Sequence, residues 1–314
     1  CRWQGKIVIL FDCITFATSS VKSFENYRRR LSEYLGAKYE ISQNPLTSHT
    51  AHIRKVFSLS LQNNLVITSD GRVNLIFLIL VRCPQLLILN GMGIYEGSLL
   101  IRLIFVKANF FKKRLVVCSQ SYRDFRYLRR YSKLKLRWVP GSGGRTQKVG
   151  KSNNPTVVLR PKKYNLMLNE VKNILPQFKK LYVVGVGFDD VKENILNVEL
   201  KGYQKQSKIF KFSKLFLQLD GYGEGIPHSL TDAICSDMDI IINRRCWIKF
   251  GFYKLVDKCE MPLKHSNNFY FLKSGSNVHT LLKNALCEKN IFKKYFDIIE
   301  QISDGKPECK EIVK

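Results

Sequence analysis

The segment LQLDGYGEGIPHSLTDAICSD, residues 217–237, carries residue types that could bind a polar ligand at a tight turn. It reads as a strand, a glycine-rich turn and a helix, and seven residues separate Glu224 from Asp232. Carboxylates accept hydrogen bonds from hydroxyl groups but are poor ligands for phosphate. A simpler interpretation is that Glu224 caps the helix and that Asp232 is an ordinary acidic residue on its surface. The residues around the two carboxylates are the evidence that can distinguish these two interpretations.

The amino end of the helix after this turn is suited to binding an anion. Its unpaired backbone N–H groups and the positive end of the helix dipole favour a phosphate there. Pro227 fits the first helical turn, where its missing N–H costs nothing, so the N–H groups of Ser229 and Leu230 are expected to face the phosphate. Carboxylates that can bind hydroxyl groups, next to a helix end that can bind phosphates, indicate a nucleotide-sugar site. In that site Asp232 would accept a hydrogen bond from the ribose.

Short apolar runs alternate with helical patterns along the chain, and they are the elements that would position this site. KIVILFD at 6–12 predicts a buried strand, and SFENYRRRLSEYLG at 23–36 predicts a helix between a serine and a glycine. The alternation is typical of β-α units with parallel sheets. The polar segment GGRTQKVGKSNNP at 143–155 has no periodicity and predicts a linker. We therefore expect two α/β domains, residues 1–145 and 146–314, with the ligand at the cleft between them.

The chain is strongly basic, with 52 Lys and Arg against 25 Asp and Glu and a formal net charge of +27. Residues 1–150 hold 25 of the basic and only 7 of the acidic side chains. This charge favours an anionic partner, which would be nucleic acid, an anionic membrane surface or a phosphorylated ligand, although genome composition alone could also produce it. The basic, aromatic stretch YRDFRYLRRYSKLKLRW suits a membrane interface or nucleic acid, or else a helix with its aromatic side in the core.

Cysteine and histidine usage predicts neither disulfides nor a metal site. The nine cysteines are odd in number and form no C-x-x-C pair, and the five histidines lack ligand spacing. The apolar run IVILFDCITFA reads as a first strand rather than a signal sequence, and VNLIFLILV is too short to span a bilayer. These features predict a cytoplasmic protein that is soluble or peripheral to a membrane.

The opening turn resembles the donor site of the family-4 retaining glycosyltransferases of the GT-B fold, whose hallmark is E-G-x-P-x-S-x-x-E-A. Here the motif stands as EGIPHSLTDA, with Asp232 in place of the second glutamate. VVLRPKKYNLML is similar to the family's strand and loop that carry an arginine and a lysine for the diphosphate, here Arg160 and Lys163. Because the spacing is about two residues shorter than in the family, Lys162 remains an alternative to Lys163.

The first half resembles a branch of this family that builds lipid-linked glycans. LILNGMGIYEG, VVCSQSYRDFRYLRRY and LRWVPGSGG are similar to three segments of that branch, in which a histidine stands at the position of Asn90, before Gly91. The resemblance covers most of residues 86–245. It implies two Rossmann-like domains facing each other across a cleft, a basic, membrane-facing acceptor domain and a C-terminal donor domain whose last helix returns to the first domain.

The function implied is transfer of a hexose or N-acetylhexosamine, with retention, from a UDP-linked sugar to a lipid-linked glycan. The resemblance places this step in bacterial surface-polysaccharide biosynthesis, lipopolysaccharide or capsule, at the inner face of the plasma membrane, without metal or other cofactor. The implied site residues are catalytic Glu224, Arg160 and Lys163; donor-binding Asp232, Gly225, Ile226, Pro227, His228, Ser229 and Leu230; and acceptor-side Asn90 and Gly91.

Two other functions remain open. The departures at Asp232 and Asn90 are compatible with a non-catalytic partner subunit of a glycosyltransferase. The basic first half is compatible with a nucleic-acid-binding protein, although no nucleic-acid-binding motif is visible and nucleic acid is therefore the less expected partner.

Overall fold

The structure is a computed structural model, and it divides the chain into two compact units. The first unit consists of Cys1–Val139 together with Ile291–Lys314, and the second of Pro140–Asn290. The residues that the structure describes are 7–12, 20–36, 38–42, 65–69, 84–90, 99, 103, 105–106, 115–192, 195–220, 225–256, 261–266 and 268–304. Glu224, Gly91 and most of the segment 98–113 lie outside them.

The first unit is built on a six-stranded sheet in which every described pairing is parallel. Its strands are β1 (Ile7–Asp12), β2 (Lys38–Ser42), β3 (Leu65–Ser69), β4 (Gln85–Leu89), β5 (Leu115–Ser119) and β6 (Lys135–Trp138). They lie in the order β2-β1-β3-β4-β5-β6. The strands β4 and β5 are buried along their whole length, as expected for parallel strands covered on both faces.

Two helices cover opposite faces of this sheet, α1 (Ser20–Leu35) and α2 (Tyr122–Tyr131). Leu31 of α1 belongs to the same buried cluster as Leu86 of β4, whereas Leu128 of α2 clusters with Leu87 of the same strand. Because successive side chains of a strand point to opposite faces, these clusters lie on the two sides of the sheet. Ser121 caps α2 by accepting a hydrogen bond from the Asp124 N–H at 3.3 Å.

The second unit contains a seven-stranded mixed sheet. Its strands are β7 (Thr156–Val158), β8 (Leu181–Val184), β9 (Val198–Leu200), β10 (Leu215–Gln218), β11 (Asp239–Asn243), β12 (Leu263–Ser266) and β13 (Phe269–Leu272). The order is β12-β13-β11-β10-β7-β8-β9, in which β13 pairs antiparallel with β11 and β12 while the other pairings are parallel. The parallel strands match the predicted β-α alternation, and the β12–β13 hairpin is an addition at one edge.

The helices of the second unit also lie on both faces of their sheet. They are α3 (Pro161–Ile174), α4 (His228–Cys235), α5 (Arg244–Phe250) and α6 (Asn277–Leu286). Tyr164 of α3 clusters with Leu217 of β10, whereas Leu230 of α4 clusters with the neighbouring Phe216. Trp247 of α5 and Leu282 of α6 belong to the α4 cluster. The fold therefore sets α3 on one face and α4, α5 and α6 on the other.

The last helix, α7 (Glu288–Asp304), belongs from Ile291 onward to the first unit. Its Tyr295 is buried in the cluster of Leu31, and the Gln120 side-chain amide donates to the Tyr295 hydroxyl at 3.2 Å. Residues 140–155, which include the predicted linker, belong to the second unit. Within the described part of the chain, no helix is both long enough and apolar enough to cross a bilayer.

Candidate functional site

The strand order of the second sheet reverses between β7 and β10. From β7 the chain continues to β8 and β9 on one side, and then returns to place β10 and β11 on the other. Ligands of open α/β sheets bind beyond the carboxyl ends of the strands at such a reversal. Arg160 follows β7 and Asp220 follows β10, and these two strands are parallel neighbours. The predicted phosphate ligand and the start of the predicted donor turn therefore lie at the same edge of the sheet.

Arg160 and Lys163 lie where β7 passes into α3. The Arg160 carbonyl accepts hydrogen bonds from the N–H groups of Lys163 at 2.8 Å and Tyr164 at 3.2 Å, so the helix begins directly at the strand end. Pro161 occupies its first position. The Arg160 side chain is exposed, that of Lys163 is half-buried, and Tyr164 is buried in the core. A fixed helix start thus carries two cations at the edge where the sequence predicts a diphosphate.

The amino end of α4 differs from the expectation in two respects, since Pro227 precedes the first helical turn instead of lying in it and the Leu230 N–H is used within the chain. The helix begins at His228, and Pro227 precedes it in an extended conformation with ψ 141° and no side-chain capping bond. The Pro227 carbonyl accepts the N–H of Leu230 at 3.1 Å and that of Thr231 at 3.2 Å. The expectation that the Leu230 N–H faces a phosphate was therefore wrong, because the first turn uses this group. The Ser229 N–H is the predicted donor that the described contacts leave for an anion.

The residues around this helix start are held by the fold. Gly225 is buried, and Ile226 packs into the cluster of Leu230. His228 and Ser229 are half-buried, and the His228 carbonyl accepts a hydrogen bond from the Thr231 hydroxyl at 2.9 Å.

Among the described residues, no group of three or more His, Cys, Asp or Glu side chains could hold a metal ion.

Asp232 lies inside the second unit rather than at an open ribose site. Its side chain is 1% exposed. Oδ1 accepts the backbone N–H of Arg145 at 2.8 Å, and Oδ2 accepts the side-chain amide of Gln206 at 2.6 Å. Both oxygens thus face groups of the chain itself, and the geometry does not support the predicted contact with a ribose. Neither partner could be inferred from local sequence, since they lie 87 and 26 residues away.

The segment around Gly144 is bonded to the junction of α6 and α7 and to the carboxyl end of α4. The Gly144 N–H donates to the Leu286 carbonyl at 2.8 Å, and the Gly144 carbonyl accepts the N–H of Glu288 at 3.0 Å. The Gln147 N–H donates to the Ser236 hydroxyl at 2.8 Å. The PGSGG motif, whose resemblance was to the acceptor half, therefore belongs to the second unit, and the segment that follows it is bonded to the end of α4.

A carboxylate that the sequence analysis did not single out lies at the carboxyl edge of β10 and β11. Glu170 of α3 accepts the Asp220 N–H at 3.0 Å and the Asn243 side-chain amide at 2.9 Å. Burial raises the pKa of Glu170, and the Asp220 charge adds to this, whereas the Asp220 hydrogen bond and the Arg245 charge lower it. The only sequence feature that marks Glu170 is that it is the single acidic residue of a helix whose other residues are neutral or basic.

The first unit carries a basic surface along α2. Four arginines of this helix are exposed: Arg123, Arg126, Arg129 and Arg130. The last three line an open pocket of about 350 Å³ together with Tyr122 and Phe125. The Tyr122 ring packs edge-on against Trp138, with centroids 4.8 Å apart. Of the predicted acceptor residues, Asn90 lies half-buried just after β4.

An apolar strip lies on the same unit. Leu99, Leu103 and Val106 are helical and exposed, with Leu99 69% and Leu103 57% accessible. Phe105 is only 3% exposed and shares the buried cluster of Leu128 in α2. Phe105 and α2 therefore lie on the same face of the first sheet, and Leu99, Leu103 and Val106 belong to the same unit as the arginine surface.

Two solved structures of T4 phage β-glucosyltransferase are similar to the whole chain. One concerns substrate binding and a proposed catalytic mechanism, and the other describes a DNA-modifying enzyme with and without uridine diphosphoglucose. Each has a TM-score of 0.50 at 9% sequence identity, covering 95% of this chain and 94% of that chain. The glycosyltransferase SnogD from Streptomyces nogalater reaches a TM-score of only 0.39 at 11% identity, covering 97% and 96%.

No protein-family model matches the chain, and no curated protein sequence matches it. At 9% identity the likeness to β-glucosyltransferase concerns the fold. Together with the two mainly parallel sheets, it confirms the predicted α/β fold of two Rossmann-like units, the GT-B type.

Proposed function

We propose that this chain is a glycosyltransferase that binds a nucleotide sugar in its second unit, beyond the carboxyl ends of β7 and β10. The observation that carries the proposal is that the strand-order reversal coincides with the cations of Arg160 and Lys163. The fold supports it, since the similar T4 phage β-glucosyltransferase has uridine diphosphoglucose as its substrate.

In the proposed reaction the diphosphate leaves as negative charge develops on it. Arg160, Lys163 and the Ser229 N–H would stabilise that charge, which is electrostatic catalysis by preorganised donors. Glu224, four residues beyond Asp220, would orient the donor sugar through its hydroxyl groups. The transferred group would be a hexose or N-acetylhexosamine from a UDP-linked donor, with retention at the anomeric carbon. Domain closure would exclude water and limit hydrolysis.

For the acceptor we favour a lipid-linked glycan at the cytoplasmic face of a membrane, as in surface-polysaccharide biosynthesis, with Asn90 and Gly91 on the acceptor side. The support is that the exposed Leu99 and Leu103 occur in the same unit as the exposed arginines of α2. Peripheral membrane proteins typically combine apolar side chains, which enter the membrane–water interface, with cations, which contact the anionic headgroups.

A nucleic-acid acceptor is the second candidate. The open pocket on α2 combines arginines with the rings of Tyr122 and Phe125, a combination that also suits phosphates and bases. The similar β-glucosyltransferase is a DNA-modifying enzyme. The two acceptors make opposite predictions for binding to vesicles and to DNA.

Calorimetric titration of the chain with UDP, UDP-glucose, GDP, ADP and CMP tests the donor site. We expect one nucleotide to bind in the micromolar range. Arg160→Ala should weaken this binding about tenfold or more, because a charged hydrogen bond contributes about 1.5–3 kcal/mol. Lys179→Ala is the matched control, since it removes one exposed charge near the amino end of β8, at the opposite edge. If no nucleotide binds, or if Arg160→Ala and Lys179→Ala bind the nucleotide equally well, the donor site is not where we propose.

A further inference from the structure

Two cysteines that are far apart in the sequence come together around Gly144 in the second unit. Cys235 is the last residue of α4, and Cys287 lies between α6 and α7. The Gly144 N–H donates to the Leu286 carbonyl at 2.8 Å, and the Gly144 carbonyl accepts the Glu288 N–H at 3.0 Å. Gly144 and Cys287 thus form a parallel bridge, and chains bridged in this way run side by side, about 4.8 Å apart.

The sulfur of Cys235 lies on the side of this bridge to which the Cys287 side chain is directed. A Cβ built on Gly144 would lie 2.8 Å from the Cys235 Sγ. Because the Cβ atoms of two bridged residues are on the same side of the pair, the Cys287 Cβ lies next to the same spot. The missing side chain at Gly144 therefore leaves room for the Cys235 sulfur beside Cys287.

The two thiols differ in exposure. Cys235 is 3% exposed, whereas Cys287 is half-buried and its Sγ donates to the Asn284 carbonyl at 3.6 Å. Burial raises the pKa of Cys235 to about 12, and Cys287 adds to the shift, as expected for sulfurs that lie close together. Because the thiolate is the reactive form, the more accessible Cys287 is the thiol that an external reagent modifies first.

We propose that Cys235 and Cys287 are a redox pair, which oxidised glutathione converts to a reversible disulfide. The Cys287 thiolate attacks one sulfur of oxidised glutathione, so that a mixed disulfide forms and one glutathione leaves. The Cys235 thiolate then attacks the Cys287 sulfur, so that the bond between the two cysteines forms and the second glutathione leaves. The two protein thiols are oxidised, one oxidised glutathione is reduced to two glutathiones, and the two thiol protons pass to these.

The disulfide makes covalent a connection that otherwise depends on hydrogen bonds of the Gly144 segment. It joins the end of α4 to the junction of α6 and α7 and closes residues 236–286 into a loop. A crosslink of this kind restricts the unfolded chain more than the folded one. We therefore expect the oxidised chain to unfold at a higher urea concentration than the reduced chain. The inference does not depend on the proposed glycosyltransferase activity.

Tryptic mapping after oxidation tests the pair directly. Cleavage after Lys and Arg leaves Cys235 in the peptide 215–244 and Cys287 in the peptide 284–289, and neither peptide contains another cysteine. The full chain is incubated with oxidised glutathione, alkylated and digested, and the linked peptides are quantified by mass spectrometry. We expect the link between these two peptides to be at least about tenfold more abundant than any other link of either cysteine. Dithiothreitol should remove it.

Three variants separate the two steps. Cys235→Ala should stop the reaction at the mixed disulfide, so that glutathione accumulates on the peptide 284–289. Cys287→Ser, at a half-buried position, should abolish both this adduct and the link. The matched control is Cys246→Ala, because it removes another buried thiol of the second unit and leaves the pair intact. It should be oxidised like the native chain.

The outcomes that contradict the inference are equally specific. A glutathione adduct at Cys287 without any link in the native chain would show that the two sulfurs cannot meet. A link that forms only in urea, or the absence of any reaction at both peptides, would also overturn the inference. The same holds for a link that lowers the urea concentration of unfolding, since the folded chain would then have to distort to form it.

Discussion

Asp232 is held between two donors inside the second unit, so we expect its removal to cost stability. Asp232→Ala leaves the Arg145 N–H and the Gln206 amide without their acceptor. Each unsatisfied buried donor costs about 1–3 kcal/mol, and we expect the free energy of unfolding to fall by about 2–4 kcal/mol in urea titrations.

Glu199→Gln is the comparison for this prediction. Glu199 forms ion pairs with the exposed Lys180 and the half-buried Lys201, and solvent-accessible pairs of this kind contribute less than about 1 kcal/mol. Asp232→Ala should therefore be clearly the less stable variant, and it should still bind a nucleotide under native conditions. Undiminished stability with abolished nucleotide binding would contradict the structural role and restore the ribose contact predicted from the sequence.

The contrast between Arg160 and Asp232 shows what local sequence can predict about a site. Arg160 follows a recognisable buried strand, so its place at a carboxyl edge was predictable from the apolar run before it. The burial of Asp232 depends on partners 87 and 26 residues away. Glu170 was missed for the same reason, since Asp220 and Asn243 lie 50 and 73 residues from it. Contacts at such separations leave no local pattern.

At the scale of elements, the segment around Gly144 is fixed against α4 by close backbone contact. A Cβ at Gly144 would lie 2.2 Å from the Thr231 carbonyl oxygen. Backbone atoms cannot move aside as a side chain can, so Gly144→Ala should separate the segment from α4. We expect a loss of more than about 2 kcal/mol in the free energy of unfolding, measured by urea titration.

Gly202→Ala is the matched variant for this prediction. Gly202 has a φ of +59°, but an added Cβ meets nothing within 4 Å. The cost there is the left-handed backbone alone, about 1–2 kcal/mol. If Gly202→Ala is the more damaging of the two, the docking of the Gly144 segment is not a stabilising contact.

Most elements were predictable because their apolar patterns are local. KIVILFD, predicted at 6–12, forms β1 at Ile7–Asp12, and the helix predicted at 23–36 is α1 at Ser20–Leu35. The hairpin of β12 and β13 was not predicted. The strand LKHS has three exposed side chains, including Leu263, and no alternation that would mark it as half-buried. It is a strand because it pairs with β13 at the sheet edge, which is a tertiary effect.

At the scale of the whole molecule, the net charge of +27 predicts binding to an anionic surface, and the exposed arginines of α2 show where that binding can be tested. We expect the chain to sediment with vesicles that contain anionic phosphatidylglycerol and to bind neutral vesicles much more weakly. The double variant Arg126→Glu, Arg129→Glu should lower binding to anionic vesicles at least about tenfold, because each basic residue near such a surface contributes about 1 kcal/mol. Leu103→Ser should also weaken binding, but without changing its dependence on salt.

The matched control for the arginine variant is Lys179→Glu with Lys192→Glu, which changes the total charge equally at exposed positions of the second unit. If both double variants lose binding to the same extent, the attraction comes from the overall charge rather than from α2. If anionic vesicles are not bound while duplex DNA is bound, and the arginine variant loses DNA affinity with a reduced salt slope, the nucleic-acid acceptor replaces the lipid-linked one. If neither is bound, the charge reflects composition alone, and the apolar strip of Leu99 and Leu103 is not a membrane surface.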